Sequence, residues 1–526
     1  MPKKPNILFV FTDQQRGDTL GTLNPVMRTP VMDRLCREGT TFTSAYTPVP
    51  VCVPARCSLI FGQYAHKTDC YENGFAMPEE SPERPTFMGA LTEAGYRTHG
   101  VGKMHFTPNG RALRGFQSRD YVGDGARTPQ ENGYLSWLHD QGYDHIVDPN
   151  GVRGEMYYLP QPAQMPARAH SSHWVADRCL DFLQRREEDR PFFLWASFED
   201  PHPPFTPPVP WNQLYRAPSM PLPKRPPDME NVQTWINRVQ NRYKYRDAGI
   251  DDNLMRAIKA YYYATVSFID YNVGRILAHL EESGELENTL IVWTADHGEF
   301  LGDYNCVGKR SFLKSAAHVP LIARYPERFP AGKQVDAPSS LVDVMPTFLA
   351  ATETDTETTA LDGIDLAELA ADPDEQRTVY GQYQCGNKAS YMALTQRWKY
   401  IYCASDNREF LFDRLVDPEE TRNRAETLGY IERTAQMRNG LIAYLQQEGY
   451  TEPLDGDTWR AFDPPPFPRD PDGGLLFQDA GWAKPQMHIP GYSDDNELEV
   501  SGFSKVIRKA FSDPRRGSGQ PGSSGY

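Results

Sequence analysis

Acidic, amide and imidazole side chains follow two apolar runs of the sequence. Asp13 and Gln14 come directly after one run, and Asp296 and His297 come directly after another. Their side-chain atoms are ligands that suit Ca²⁺, Mg²⁺ or Mn²⁺ better than zinc. A divalent cation held there would bind an anionic group and acidify a hydroxyl bound to it. The four residues therefore predict a metal site.

Cationic and imidazole side chains occur in further segments of the chain. They are Arg56, Lys103, His105, His202 and Lys309. Arginine offers a planar fork for tetrahedral oxyanions, and lysine offers a point charge. Each of these residues, taken alone, is more often structural than catalytic. Together with a cation site they favour attack on a sulfate or phosphate ester, and they leave the nucleophile unidentified.

Two cysteines, Cys52 and Cys57, lie five positions apart in the stretch PVCVPARCSLIFGQY, just before a run that looks helical. A disulfide, a metal clip, a nucleophile and a plain buried thiol are all compatible with this spacing. The chain has eight cysteines and no C-x-x-C pair, so neither a zinc ribbon nor a thioredoxin-type pair is indicated.

Strand-like and helix-like segments alternate along most of the chain. The predicted strands span residues 6–12, 96–102, 191–198, 289–295 and 319–326. The first of them is a continuous apolar run, which is typical of a strand buried on both faces. The predicted helices span residues 29–39, 86–95, 257–284 and 341–351. This alternation predicts an α/β sandwich with a largely parallel sheet. Because sites in such sheets form at the carboxyl ends of strands, the polar residues that follow the strands are expected at one edge.

The sequence pattern of the 526-residue chain changes after about residue 375. Residues 1–375 are predicted to form one large domain, and residues 376–454 a smaller α+β subdomain with an antiparallel sheet. Residues 455–526, rich in Pro, Gly and Asp, are predicted to form an extended tail. Aromatic residues in this tail suggest the hypothesis that it packs on a neighbouring subunit of a homo-oligomer.

The overall charge and composition limit the partners and the location. The net charge of −15 argues against a nucleic-acid partner that is bound through a general positive field. No apolar run is long enough to span a bilayer. Sparse cysteines and the lack of a clear secretory signal favour the cytoplasm, with a periplasmic or secreted location as the alternative if a signal peptide was removed.

The segment Cys52-Val53-Pro54-Ala55-Arg56 matches the C-x-P-x-R signature of the type I sulfatases, in the alkaline phosphatase superfamily. The chain also resembles this family, in order, in the blocks NILFVFTDQQRGDTLG, GKMHF, DPHPPF, TADHGEFLGD, GKRSFLKSAAHVPLI and LFDRLVDPEETRN. The resemblance implies an alkaline-phosphatase-like α/β/α sandwich with a large mixed, mostly parallel sheet in a catalytic domain, plus the smaller C-terminal subdomain. It also implies the hydrolysis of a sulfate ester to an alcohol and inorganic sulfate.

In that family the signature cysteine, by position Cys52, is oxidised by a formylglycine-generating enzyme to Cα-formylglycine. The hydrated aldehyde is a geminal diol, one hydroxyl of which attacks sulfur while the other later expels sulfate. Cys57 lies outside the signature and is expected to be a packed thiol.

The same resemblance implies a role for each polar residue. The implied metal ligands are Asp13, Gln14, Asp296 and His297. Arg56 is expected to steady the formylglycine, and Lys103 and Lys309 to hold sulfate oxygens. His105 is expected to assist the diol, and His202 to be the general acid and to contact the substrate. Asn73 is a candidate contact to sulfate or substrate.

Two departures from the family pattern bear on the site. Many relatives have two adjacent aspartates where this chain has Asp13 and Gln14. One fewer anionic ligand leaves the choice of Ca²⁺ against Mn²⁺ or Mg²⁺ open. Lys314 stands where relatives often carry glutamate, and a surface change is favoured over a more cationic pocket.

Several alternatives stay open at the level of function. A phosphonate monoester or phosphodiester hydrolase would share the scaffold, and a non-catalytic binding protein would keep the fold. For a sulfatase, a sulfated carbohydrate is favoured over a small sulfate ester of the choline sulfate type. The leaving-group pocket is expected to be shaped by the insertion at residues 106–190, including Arg111, Arg114, Arg119, His170 and His173.

Overall fold

The structure is a computed structural model of the chain. It describes residues 4–122, 132–143, 145–146, 148–153, 157–186, 190–244, 251–355, 361–374 and 376–467. The predicted tail therefore lies outside the described residues from residue 468 onward. Among the described residues we find no helix with the length and apolar content that crossing a membrane requires.

The strands and helices are numbered separately in chain order. The strands are β1 (Asn6–Thr12), β2 (Thr40–Phe42), β3 (Ala45–Tyr46), β4 (Arg97–Lys103), β5 (Ser118–Val122), β6 (Phe192–Phe198), β7 (Thr289–Ala295), β8 (Leu321–Arg324), β9 (Lys333–Val335), β10 (Ser339–Ser340), β11 (Val379–Tyr383), β12 (Ser390–Leu394), β13 (Trp398–Cys403), β14 (Arg408–Asp413), β15 (Leu454–Asp455) and β16 (Thr458–Trp459). The helices are α1 (Pro30–Glu38), α2 (Cys52–Phe61), α3 (Ala65–Thr68), α4 (Phe87–Glu93), α5 (Gly133–Asp140), α6 (Ser171–Arg185), α7 (Met229–Val232), α8 (Trp235–Lys244), α9 (Asp252–Glu282), α10 (Lys314–Ala317), α11 (Val344–Ala351), α12 (Leu366–Ala371) and α13 (Ile431–Gln447).

The largest sheet has eight strands in the order β5-β4-β6-β1-β7-β8-β2-β9. Strand β1 pairs in parallel with β6 and β7, and β4 pairs in parallel with β5 and β6. Strand β8 runs antiparallel to its neighbours β7 and β2, so the sheet is mixed but mostly parallel. All residues of β1, β6 and β7 are buried, because helices cover both faces of the sheet.

The side chains of β1 alternate between two apolar cores. Leu8 and Val10 join the core that contains helices α1, α6 and α9. Ile7, Phe9 and Phe11 join the core that contains helices α2, α4, α11 and α12. This alternation follows from the two-residue period of a strand, and it makes the main body a three-layer α/β/α sandwich.

Strands β11 to β14 form a separate antiparallel sheet of four strands. One face of this sheet packs against the segments around Val49 and Phe312 of the main body. The other face packs against helix α13, through residues that include Leu441 and Leu445. The predicted fold class is therefore confirmed: a large mixed, mostly parallel sheet between helices, with a C-terminal antiparallel sheet.

Candidate active site

Three neighbouring strands end at the same edge of the large sheet. The register pairs Thr12 of β1 with Phe198 of β6 and with Ala295 of β7. The residues that follow these strands are therefore brought together, and the backbone N–H of Asp296 donates to the carbonyl of Thr12 at 3.3 Å. Asp13 and Asp296 are both completely buried at this edge.

Helix α2 delivers the signature residues to this edge, because it begins at Cys52 and is buried along its whole length. Its first turn has no side-chain cap from the preceding residue; instead, the side-chain oxygen of Asn73 accepts the N–H of Val53 at 3.0 Å. Gly62 ends the helix with φ of 62°, a left-handed conformation that glycine adopts without strain. Cys52 and Cys57 are both unbridged, which rules out a disulfide between them in this structure.

The thiol of Cys52 is the point on which the site converges. Its sulfur lies 2.8 Å from Lys309 Nζ, 3.3 Å from His297 Nε2 and 3.7 Å from Asp13 Oδ1. The side chains of His105 and His202 also form hydrogen bonds with Cys52. The cysteine is 1% exposed, so all these groups meet it away from bulk water.

Arg56 lies one helical turn after Cys52, on the same face of α2. Its Nη2 donates to Asp13 Oδ2 at 3.2 Å, and its Nε donates to Asp296 Oδ2 at 3.0 Å. A third donor, Nη1, reaches the carbonyl of Lys103 at 2.6 Å. The guanidinium is completely buried and holds the two carboxylates and the end of β4 in one arrangement.

Four side chains are spaced to hold a metal ion. The ligand atoms of Asp13, Cys52, Asp296 and His297 all lie within 4.8 Å of one another. His297 Nδ1 lies 3.0 Å from the carbonyl oxygen of Gly298. When Nδ1–H donates a hydrogen bond to this oxygen, the lone pair of Nε2 is left free to bind a metal ion. Gln14 directly follows Asp13 in the chain. Its side-chain oxygen Oε1 is buried and has no hydrogen-bond partner among the described residues. The two carboxylates, the imidazole and an amide oxygen from Gln14 fit Ca²⁺, Mg²⁺ or Mn²⁺, whereas the thiol of unconverted Cys52 is a soft ligand that these cations do not favour.

Buried charges in the site shift one another's pKa values. The pKa of Asp13 is well below its usual range, because Lys103, His202, Lys309 and Arg56 outweigh the effect of burial. The pKa of Asp296 is raised by burial and by the neighbouring Asp13 carboxylate. Two buried carboxylates in this proximity form a site that a divalent cation would stabilise.

The nucleophile position is strongly electropositive. Burial and Asp13 raise the pKa of the Cys52 thiol, but Lys309, His297 and the hydrogen bond from His105 lower it further, to well below its usual value. Lys103 contributes a second amino group, which lies 2.8 Å from Asp13 Oδ2. This arrangement stabilises negative charge at residue 52 and on any anion beside it.

His202 is buried and lies between the cations and an adjoining cleft. Burial, Lys309 and Lys103 lower its pKa to about 4, so its imidazole is neutral at pH 7 in this structure. Its Nδ1 lies 2.9 Å from the carbonyl of Pro203, which favours the tautomer with the proton on Nδ1 and leaves Nε2 as an acceptor.

The adjoining cleft is shallow and opens beside His202. Its lining includes Asn150, Arg153, Glu199, Asp200 and His202. The insertion at residues 106–190 thus supplies Asn150 and Arg153 to the lining. The five basic residues predicted to shape the leaving-group pocket are not among the residues that line this cleft, so their role stays a prediction.

Those five side chains have other contacts. Arg114 donates to the carbonyls of Pro78 and Thr107, and Arg119 packs over the ring of Phe106. His170 caps helix α6, and His173 faces Asp177. Arg111 is exposed. Their positions are explained by packing and capping, which residue type and segment alone do not reveal.

Lys314 faces the C-terminal subdomain rather than Cys52. Its Nζ lies 2.9 Å from the carbonyl of Pro418 and 3.2 Å from Glu419 Oε1. This placement favours a surface change over a more cationic pocket.

Two buried residues that were not predicted from the sequence fix Gln14, one of the candidate metal ligands. Tyr262 of α9 donates to the carbonyl of Gln14 at 2.7 Å and accepts the N–H of Arg16 at 2.9 Å. Glu299, three residues after Asp296, accepts a hydrogen bond from Gln14 Nε2. Glu299 belongs to the TADHGE block, so its position was visible in the sequence, but its partner was not.

Comparison with family models agrees with the resemblance in the sequence. The model of the family "Sulfatase" matches residues 5–354. A second model, described as "N-sulphoglucosamine sulphohydrolase, C-terminal", matches residues 302–447.

Curated relatives match along most of the chain. An arylsulfatase of Clostridium perfringens is 30% identical over 477 residues, which cover 85% of this chain and 96% of the relative. The multifunctional alkaline phosphatase superfamily protein PehA of Trinickia caryophylli is 30% identical, over 81% of this chain and 92% of the relative. An N-acetylglucosamine-6-O-sulfatase of Bacteroides thetaiotaomicron is 26% identical, over 87% of this chain and 89% of the relative.

Solved structures share the fold at lower identity. A phosphonate monoester hydrolase of Agrobacterium radiobacter superposes with a TM-score of 0.75 at 24% identity, over 84% of this chain and 96% of that one. A protein solved with its substrate D-glucosamine-2-N,6-O-disulfate superposes with a TM-score of 0.68 at 22% identity, over 86% and 99%. With the family model spanning residues 5–354 and an arylsulfatase 30% identical along most of its length, the chain belongs to the sulfatase family, the hydrolases of sulfuric esters.

Proposed function

We propose that this protein hydrolyses a sulfate ester to an alcohol and inorganic sulfate, with residue 52 as the nucleophile after its conversion from cysteine to formylglycine. The observation that carries the proposal is the position of the Cys52 sulfur, 2.8 Å from Lys309 Nζ and 3.3 Å from His297 Nε2. This sulfur stands in for the hydroxyl oxygens that the hydrated aldehyde would place there. The cationic side chains and the candidate metal ligands of the site therefore all lie around the side chain of residue 52.

The residues of the site divide the work as follows. Asp13, Gln14, Asp296 and His297 would hold a divalent cation, Ca²⁺ or else Mn²⁺ or Mg²⁺, which would supply positive charge for the nucleophile and for a sulfate oxygen. Arg56 keeps the two carboxylates in place through its two ion pairs.

Lys103 and Lys309 would bind the remaining sulfate oxygens, because their amino groups contact Asp13 and Cys52 on the side of the nucleophile. Asn73 would act through the first turn of α2, since its oxygen is engaged by the N–H of Val53.

Two histidines would handle protons. His105 forms a hydrogen bond with residue 52 and would take the proton from the hydroxyl that later expels sulfate. His202 lies between residue 52 and the cleft, where the leaving alcohol would be released. To act as a general acid it must gain a proton, and the negative charge of a bound sulfate ester opposes the two lysines that lower its pKa.

The substitution of residue 52 provides the direct test. After expression with a formylglycine-generating enzyme, mass spectrometry of the peptide that holds residue 52 is expected to show the aldehyde. Cys52→Ser should accept a sulfuryl group from an aryl sulfate and retain it, because a single hydroxyl cannot expel sulfate by re-forming an aldehyde. Protein that carries only unmodified cysteine and turns over sulfate esters at the full rate would overturn the proposal.

The proposed maturation partner must meet the chain before folding is complete. Every residue of α2, including Cys52 and Arg56, is buried in the folded protein. A modifying enzyme therefore has no access to the signature once the two cores have formed. Incubation of the folded, unmodified chain with the enzyme is expected to leave residue 52 as cysteine, whereas co-expression converts it.

A sulfated carbohydrate is the substrate class that the cleft favours. Glu199 Oε2 lies 3.4 Å from Asn150 Nδ2, and Glu199 Oε1 lies 3.4 Å from Arg153 Nη2. Hydrogen-bond donors and acceptors are therefore held side by side in the cleft. Sugar hydroxyls need both, whereas an aryl leaving group needs apolar walls. The similarity to an N-acetylglucosamine-6-O-sulfatase supports the same choice.

A panel of defined substrates tests the class. Sulfated monosaccharides are expected to give a higher kcat/KM than choline sulfate or an aryl sulfate. Arg153→Ala and Glu199→Gln should lower kcat/KM for the sugars by about tenfold or more and leave aryl sulfate turnover nearly unchanged, since only the sugar uses their hydrogen bonds. An equal loss on all substrates would contradict a role in recognising the sugar.

A phosphonate monoester or phosphodiester hydrolase is the second candidate. Its support is the similarity of the fold to a phosphonate monoester hydrolase, with a TM-score of 0.75, and the 30% identity to PehA. The ratio of kcat/KM on matched aryl sulfate and aryl phosphonate esters decides between the two. A much higher value on the phosphonate ester would reverse the ranking.

A further inference from the structure

The main chain of Gln14 is fixed from both sides. Its N–H donates to Asp296 Oδ1 at 2.9 Å, and its carbonyl accepts the hydroxyl of Tyr262 at 2.7 Å. Its φ of 67° lies in the left-handed region, which a residue with a side chain adopts only when its surroundings impose it. The remaining freedom of this residue is the orientation of its side-chain amide.

That amide can present either of two chemically opposite groups. Its oxygen is a suitable ligand for a hard cation, and its NH₂ group repels one. The two orientations have almost the same shape, so packing alone does not select between them. A neutral ligand of this kind therefore needs a partner that distinguishes oxygen from nitrogen.

Glu299 has the properties of such a partner. It is completely buried, and its Oε2 accepts the hydrogen bond from Gln14 Nε2. Its Oε1 accepts the N–H of Leu301 at 3.1 Å and of Gly308 at 2.5 Å, which fixes the carboxylate. The main-chain carbonyl of Glu299 is held as well, by Arg16 Nη1 at 2.8 Å.

Because a carboxylate only accepts hydrogen bonds, the amide nitrogen of Gln14 must face Glu299. The amide oxygen must then face the opposite way, and it is the buried Oε1 that has no hydrogen-bond partner among the described residues. We propose that Glu299 is a positioning residue that selects the amide orientation in which Gln14 Oε1 faces the cation site. This inference rests on the proposed metal site, and it assigns Glu299 no contact with the ion.

The test measures metal binding rather than turnover. The full chain with Cys52 unconverted is titrated with Mn²⁺ and with Ca²⁺ by calorimetry, and the unfolding temperature of the metal-free protein is recorded in parallel. In Glu299→Gln, the new side chain can keep its oxygen on the N–H groups of Leu301 and Gly308, and its NH₂ group then faces Gln14. The amide of Gln14 must flip and present its own NH₂ to the site.

We expect the dissociation constant of Glu299→Gln to rise about tenfold to a hundredfold, which is the usual effect of removing a partner that orients a metal ligand. The matched control is Asp270→Asn, since Asp270 is also a buried carboxyl that accepts two backbone N–H groups, on the helix α9. The control is expected to bind both metals as the wild type does.

A double variant separates orientation from general damage. Gln14→Glu keeps the length of the side chain but places its carboxylate against that of Glu299, whereas Gln14→Glu combined with Glu299→Gln restores a donor–acceptor pair and should bind more tightly than either single variant. Wild-type affinity in Glu299→Gln, or a double variant no better than Gln14→Glu, overturns the role of Glu299. A wild-type chain that binds neither metal overturns the cation site itself, and the inference with it.

Discussion

At the scale of single residues, Arg56 compensates the charge of two buried carboxylates of the site. It pairs with Asp13 and with Asp296, and all three side chains are completely buried. Removing one partner of a buried ionic group leaves the remaining charges without compensation, which costs more than the intact group contributes. The signature arginine thus acts on the carboxylates as well as on the nucleophile that precedes it.

We predict that Arg56→Ala lowers the free energy of unfolding of the metal-free protein by about 3–5 kcal/mol. Arg56→Lys should lose less, because one amino group keeps the charge but cannot bridge both carboxylates. Urea unfolding with and without a divalent cation measures both effects. The cation should reduce the difference in the free energy of unfolding between each variant and the wild type. The control is Arg225→Ala at an exposed ion pair with Asp252, which should change little. Equal stability of Arg56→Ala and the control would contradict this account.

At the scale of elements, helix α1 depends on a side chain from another helix for its N-terminal cap. Its preceding residue, Thr29, makes no side-chain cap. Instead, Asp270 of α9 accepts the N–H of Val31 at 3.0 Å and of Met32 at 2.7 Å. Burial outweighs these bonds and raises the pKa of Asp270 from 3.8 to about 7. The cap therefore titrates near neutral pH.

The sign of the resulting pH dependence follows from the raised pKa. Between about pH 4 and 7 the folded state holds a proton on Asp270 that the unfolded chain has released. The stability that protonated Asp270 contributes to the folded state is therefore complete below about pH 4 and is lost as the pH rises towards 7. We predict that wild type loses stability relative to Asp270→Asn across this range, by at most about 1.4 kcal/mol per pH unit. Urea unfolding at a series of pH values measures the difference. Parallel curves for the two proteins would show that the carboxyl does not titrate there.

At the scale of the whole molecule, the C-terminal sheet supports the loop that carries Lys309. Lys399 of β13 and Glu420 are both fully buried and form an ion pair at 2.5 Å. Lys399 also donates to the carbonyl of Phe312 at 2.6 Å, and Glu420 accepts the N–H of Lys314 at 2.8 Å. The pair thus connects the small sheet to the segment that places a lysine on Cys52.

We predict that Lys399→Met lowers the free energy of unfolding by about 3–5 kcal/mol, because Glu420 becomes a buried charge without its partner. Amide hydrogen exchange should increase across residues 309–314. The double variant Lys399→Met, Glu420→Leu removes both charges and should recover part of the stability. Unchanged exchange in residues 309–314 would contradict a supporting role for the C-terminal sheet.

Much of the framework was predictable from local patterns. Strands β1, β6 and β7 appear as apolar runs, and the polar residues that follow them meet at one edge because the ends of parallel strands share that edge. Helices α1, α4 and α9 were predicted from periodicity and from glycines near their ends. The signature around Cys52 and the blocks that accompany it identified the family.

The contacts that complete the site depended on the tertiary structure. The amide orientation of Gln14, the cap from Asp270 and the lining of the cleft by Asn150 and Arg153 all join segments far apart in the chain. Such pairs have no period and no fixed spacing, so no local pattern encodes them. By itself the sequence determined which residues could do chemistry and which strands would carry them, because those properties are local; which atoms face one another was decided by packing between distant segments.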